Sequence, residues 1–142
     1  MVEHVNIPLT LEDMQELISV AEPVHSQTRS LKFDVTSQAD IDYWTSNGLL
    51  VLMFWADYSA PSRLYRIIFE DYASVCTHPK SYFGSLLLDQ NSNRVMAIFT
   101  KYGINTVPTT MFIKYGNIVA TTTGPINREL LEGLTEQYKV TQ

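Results

Sequence analysis

Leu49-Leu-Val-Leu-Met-Phe-Trp55 is an uninterrupted apolar run. A run of that length with no polar alternation predicts a central strand covered on both faces. Tyr82 to Leu88 reads as a second buried strand, ending at Asp89-Gln-Asn-Ser-Asn93. Leu31-Lys-Phe-Asp-Val35 alternates and predicts a further strand. Thr109–Ile113 and Ile118–Thr123 flank Tyr115-Gly116-Asn117, a hairpin signature.

Between these strands the apolar spacing becomes helical. Ser37 can cap a helix through Ile41, Tyr43 and Trp44 that Asn47-Gly48 breaks. From about Ser59 to Val75 a helix is expected, with Leu64, Ile67, Ile68, Tyr72 and Val75 on one face. Val95, Met96 and Phe99 mark a helix ending at Tyr102-Gly103, and Asn127 can cap a last helix bearing Leu130, Leu131, Leu134 and Tyr138. At the start of the chain, Thr10 and Asp13 form a weak capping box before a stripe of Leu11, Met14, Leu17 and Ile18, and Pro23 closes that helix. Residues 1–29 are therefore read as an extension with one amphipathic helix, and residues 30–142 as one domain. The extension's stripe is expected to pack on the domain or to give a second contact with a partner. The element order predicts an α/β fold, a central mixed sheet with helices on both faces.

Composition narrows the function. With 142 residues, 45% hydrophobic and 18% charged, the chain is an ordinary globular one. A net charge of −5 and no basic stripe argue against nucleic acid as the partner. No apolar run is long enough to span a membrane, and Met1–Thr10 has neither the basic start nor the apolar middle of a signal peptide. The one cysteine, Cys76, cannot form an internal disulfide, which fits a reducing compartment: cytoplasm first, with nucleus or an organelle matrix as alternatives.

From about Leu31 onward the chain resembles thioredoxin. Phe54-Trp-Ala-Asp-Tyr-Ser-Ala-Pro-Ser62 is similar to the family's active-site stretch, where Trp-Cys-Gly-Pro-Cys follows a similar Phe-Trp-Ala. Asp89-Gln-Asn91 matches the turn after its third strand, and Lys101 to Thr109 resembles the segment around its cis-proline. Phe112-Ile-Lys-Tyr-Gly116 followed by Gly124 resembles its final hairpin. The resemblance implies the thioredoxin fold with an extra N-terminal helix, a cis bond before Pro108, and a groove in which the Val107 backbone pairs with an extended peptide.

The departures carry the functional reading. Ser59 and Ser62 stand at the positions of the two cysteines. The family's first cysteine works as a thiolate at a helix N-terminus, and its second resolves the mixed disulfide. A serine hydroxyl neither ionises there nor forms a disulfide. By the same resemblance the family's buried acid corresponds to Met53, a neighbouring lysine to Ser85, and a helix-kinking proline to Ile67. A deliberate exchange of cysteines would have left the acid in place, so joint loss points to a site that drifted after redox work ended.

The expectation is thus a redox-inactive, non-enzymatic interaction or adaptor module, a subunit of a larger assembly with protein partners and no cofactor. Partner contact is expected at Trp55, Tyr58, Ser59, Ala60, Pro61, Val107, Pro108 and Gly124. One alternative is a thioredoxin-type disulfide oxidoreductase whose cysteines were replaced by serine. Another is a glutathione- or thiol-binding protein using Ser59. Cys76 and His78 are close in sequence but lack a third group for a nucleophilic site. His4, His25 and His78 are scattered, without metal-ligand spacing, so no metal is assigned. Glu70 and Asp71 read as part of a solvated helix face.

Overall fold

The computed structural model describes residues 32–141. The amphipathic helix read within residues 1–29, and the boundary after it, lie outside the described residues. The described chain runs β1 (Lys32–Asp34), α1 (Gln38–Ser46), β2 (Leu49–Trp55), α2 (Ala60–Val75), β3 (Ser81–Leu87), α3 (Asn93–Lys101), β4 (Thr109–Lys114), β5 (Asn117–Thr123) and α4 (Arg128–Tyr138).

The five strands form one sheet in the order β1-β3-β2-β4-β5. The β1–β3 and β2–β3 pairs are parallel, and β2–β4 and β4–β5 are antiparallel. Every residue of β2 is buried, as its unbroken apolar run predicts. Leu49, Val51, Met53 and Trp55 face a core under α2 and α4, with Tyr65, Phe69, Phe83, Phe112 and Leu131. Leu50, Leu52 and Phe54 face the opposite core, under α1 and α3, with Ile41, Val95, Ile98 and Phe99. The two-residue period of the strand divides its side chains between the layers. This is the arrangement that the resemblance implied: a central mixed sheet with helices on both faces.

Local chemistry fixes the helix starts. Side chains of Ser37, Ser59, Ser92 and Asn127 accept hydrogen bonds from the backbone N–H groups of Asp40, Ser62, Val95 and Leu130. Each cap satisfies an otherwise orphaned donor and contributes about 1 kcal/mol. Gly48 brings β2 in against the loop before β3: a Cβ there would lie 2.3 Å from the Lys80 carbonyl oxygen. Thr45 donates to the Ile113 carbonyl at 2.9 Å and accepts from Gly116 N–H at 2.9 Å, which ties the β4–β5 turn to α1.

The buried face of α2 differs from the expected one. Ser62, Tyr65, Phe69, Tyr72 and Ala73 are buried, whereas Val75 is 52% exposed and Leu64 and Ile67 are half-buried. Apolar residues occur around much of this helix, so their spacing alone does not pick the inward face. Glu70 and Asp71 also depart from a solvated face. Their side chains are 14% and 23% exposed, and they pair with Arg66 (2.7 Å) and with Arg128 of α4, respectively.

Candidate functional site

β2 ends at Trp55 and feeds the turn Ala56–Ser59 that opens α2. In the sheet register Phe54 lies opposite Thr109, so the segment around Pro108 reaches the same end of the sheet. The Val107–Pro108 bond is cis. Gly124, at φ +81°, donates from its N–H to the Pro108 carbonyl at 2.7 Å. Glycine adopts this positive φ without a Cβ penalty. The turn, the cis-proline segment and Gly124 therefore lie at one end of the sheet.

The serines are engaged in structure. The Ser59 hydroxyl accepts from Ser62 N–H at 3.2 Å, and the Ser62 hydroxyl, fully buried, accepts from Ala56 N–H at 3.3 Å. Pro61 occupies the first turn of α2, where a missing N–H does no harm. Arg63 donates to the Asp57 carbonyl at 2.8 Å, closing the turn from outside.

Below the serines the site is mostly apolar, with a Tyr65–Thr110 hydroxyl pair and the buried Ser85. Met53 is fully buried and its register neighbours are Ser85 on β3 and Thr110 on β4. The Tyr65 hydroxyl and Thr110 Oγ1 are 2.7 Å apart, both residues fully buried. Burial raises the Tyr65 pKa, opposed in part by its hydrogen bond with Thr110, so the phenol stays protonated. Met53 thus places a thioether here, and the Thr110 hydroxyl nearest it on β4 is already paired.

On the opposite side the turn is open. Tyr58 is 68% exposed and stands over a cleft of about 430 Å3. Leu88, Met96, Phe99, Ile104 and Val107 supply the other apolar walls. Gln90, Thr100 and Asn105 are the polar side chains lining it, and none of its lining residues is charged. That volume is within the range of ligand and peptide pockets.

Of the residues expected to meet a partner, only Tyr58 and Val107 line this cleft. Pro108 is buried, and Trp55 is 8% exposed with the Arg66 guanidinium 4.5 Å from its ring centroid. Neither offers the apolar surface read for it; Arg66 takes the outer face of Trp55. Ala60 and Pro61 are exposed at the start of α2. Leu88, Met96 and Ile104 also line the cleft and were not singled out in the sequence. The available signal was the Met96/Phe99/Thr100 spacing on α3, where Phe99 belongs to the core and its neighbours on the same face reach the cleft.

The other candidates separate. Cys76 is buried, and the partner of His78 is Glu136 at 3.1 Å. Among the described residues no group of three or more His, Cys, Asp or Glu residues is placed to hold a metal ion, and no helix is long and apolar enough to cross a membrane.

No protein-family model matches the chain. It is 27% identical over 104 residues to a thioredoxin of Chlamydia pneumoniae, a match covering 73% of this chain and 96% of that protein. Among solved structures, a mutant thioredoxin from Halobacterium salinarum superposes with a TM-score of 0.69 at 23% identity, covering 81% of this chain and 98% of that one. Plasmodium falciparum thioredoxin superposes with a TM-score of 0.61 at 29% identity, covering 74% and 97%. The chain thus has the thioredoxin fold and resembles thioredoxins over about three quarters of its length.

Proposed function

We propose that this protein is a redox-inactive thioredoxin-fold module that binds an extended segment of a partner protein along the Tyr58–Val107 cleft. The observation that carries the reading is an asymmetry at one turn. The hydroxyls at Ser59 and Ser62 are committed to backbone hydrogen bonds, while the adjoining cleft is open, with apolar walls of Leu88, Met96, Phe99, Ile104 and Val107 interspersed with Gln90, Thr100 and Asn105. Without a second cysteine no intramolecular disulfide forms in this chain, so the thiol–disulfide cycle has neither attacking nor resolving group. Recognition needs only an apolar cleft and backbone groups at its rim. A reducing compartment, the cytoplasm first, suits a chain whose one thiol is buried.

The test is co-purification from native cells of partners bound to the tagged full-length chain, alongside Tyr58→Ala and Val107→Asp. The reading predicts a stoichiometric protein partner that both variants lose and that Ser59→Ala keeps. A partner retained undiminished by both cleft variants overturns the use of the cleft. A second reading, a thioredoxin-type oxidoreductase carrying serine in place of cysteine, is favoured by one finding: the relatives are themselves named thioredoxins.

A further inference from the structure

We infer that the Tyr58–Val107 cleft is also a docking site for this chain's own residues 11–18, which enter it through the apolar stripe Leu11, Met14, Leu17 and Ile18. Three observations support this occupant.

The first is reach. The described chain begins in β1, where Lys32 lies opposite Phe83 of β3. From Phe83 to Leu88 in the cleft wall is five residues, about 17 Å at roughly 3.3 Å per residue. Residues 19–31 between the stripe and β1 can span about 43 Å when extended, more than twice that distance. The second is charge. Residues 90–127 contain no Asp or Glu but include Arg94 and Lys101 of α3, the helix that forms one wall of the cleft. The stripe is interleaved with Glu12, Asp13 and Glu16, and the first Lys or Arg of the chain is Arg29. An acidic segment is favoured beside α3, while Asp57 and Asp89, adjacent in sequence to the lining residues Tyr58, Leu88 and Gln90, are like charges it must keep away from. The third is tethering. A covalently linked segment meets the cleft at an effective concentration in the millimolar range, about what a short apolar stripe of weak affinity needs to occupy it.

The consequence rests on the proposed function: a partner entering the cleft must first displace residues 11–18, which sets a threshold on partner affinity. Docking itself does not depend on that reading.

The experiment compares amide NMR spectra of the full-length chain and its Leu17→Asp/Ile18→Asp variant, with a synthetic peptide of residues 8–22 as probe. The substitutions lie ahead of the domain, and unchanged signals from β2 and β4 check that it stays folded. The expected result is displacement of the Gln90, Thr100, Ile104 and Asn105 signals in the variant, and their saturable return towards the wild-type positions as the peptide is added. Wild-type signals unchanged on tenfold dilution show that docking is within one chain. The inference is overturned if the cleft signals are the same in both proteins, or if the displaced signals cluster at another surface such as Tyr43 or Tyr115. It is also overturned if the wild-type cleft signals move on dilution, which assigns the cleft to a second copy. If the cleft signals do not respond while Tyr58→Ala still abolishes partner capture, self-docking falls and the interaction reading stands.

Discussion

The two sides of the Ser59–Ser62 turn are built differently. On the α2 side, Met53, Ser62, Tyr65 and Thr110 are fully buried, and the Tyr65 and Thr110 hydroxyls satisfy each other. On the α3 side, Tyr58 is 68% exposed above an open cleft. Disulfide exchange needs a thiolate, a resolving thiol and a route for a proton, and the fully buried side holds only Met53 and paired hydroxyls beneath Ser62. Peptide recognition needs apolar walls and reachable backbone, and the proposed function places it on the open side. The contrast teaches that one turn can border a packed core on one side and an open cleft on the other; the proposed function assigns recognition to the second and no chemistry to the first.

Substitutions can break that contrast. Putting a carboxyl into the buried side has the largest expected effect. Met53→Asp places an ionisable group where a fully buried thioether sits, and should cost roughly 3–5 kcal/mol in chemical denaturation. A loss under about 1 kcal/mol would mean that water reaches this position.

Tyr65→Phe comes next. It leaves Thr110 Oγ1 without its buried partner and should cost about 1–3 kcal/mol. It also carries a pH signature. Burial raises the Tyr65 pKa above its ordinary 10.0, so above pH 10 the unfolded chain ionises this phenol while the folded chain does not. Its contribution is complete below pH 10 and declines as pH rises above that. The alkaline fall in stability should be shallower in Tyr65→Phe than in the parent, and Tyr72, also shifted upwards chiefly by burial, should supply the remainder.

How much of this contrast the sequence disclosed follows from the range of the forces involved. β2 was legible as a continuous apolar run, and the caps at Ser37 and Asn127 were legible because a cap is a contact over three residues. The turn at Tyr115–Asn117 was legible for the same local reason. The inward face of α2 was not, because Tyr65 and Phe69 compete with Leu64, Ile67 and Ile68 on neighbouring faces, and only docking on the sheet decides among them. The exposure of Trp55 was misread because its cover, Arg66, comes from the following helix. The cleft was half-legible: Tyr58 and Val107 came from the resemblance, whereas Leu88, Met96 and Ile104 are brought together only by the packing of α3 at the end of the sheet.

Smaller effects sharpen the boundary between the two sides. Ser59→Ala removes the α2 cap and should cost about 1 kcal/mol in denaturation. Calorimetric titration with glutathione should give no saturable signal for the parent or for this variant, and saturable binding lost in Ser59→Ala would instead assign the hydroxyl to thiol recognition. Tyr58→Ala should change stability by under about 0.5 kcal/mol, because the ring is mostly in solvent. A larger loss would place Tyr58 with the core and weaken its assignment to recognition.

The separation of chemistry from recognition is tested most directly by returning both thiols at once. Ser59→Cys/Ser62→Cys should be assayed for reduction of insulin disulfides beside an active thioredoxin. Met53 and the paired Tyr65 and Thr110 hydroxyls leave no acid or base beneath the new thiols, and proton transfer by such a group contributes about 100-fold or more. The expected rate is at least about 100-fold below the active enzyme. A rate matching that enzyme would contradict the separation, showing that two atoms of sulfur were all this site lacked.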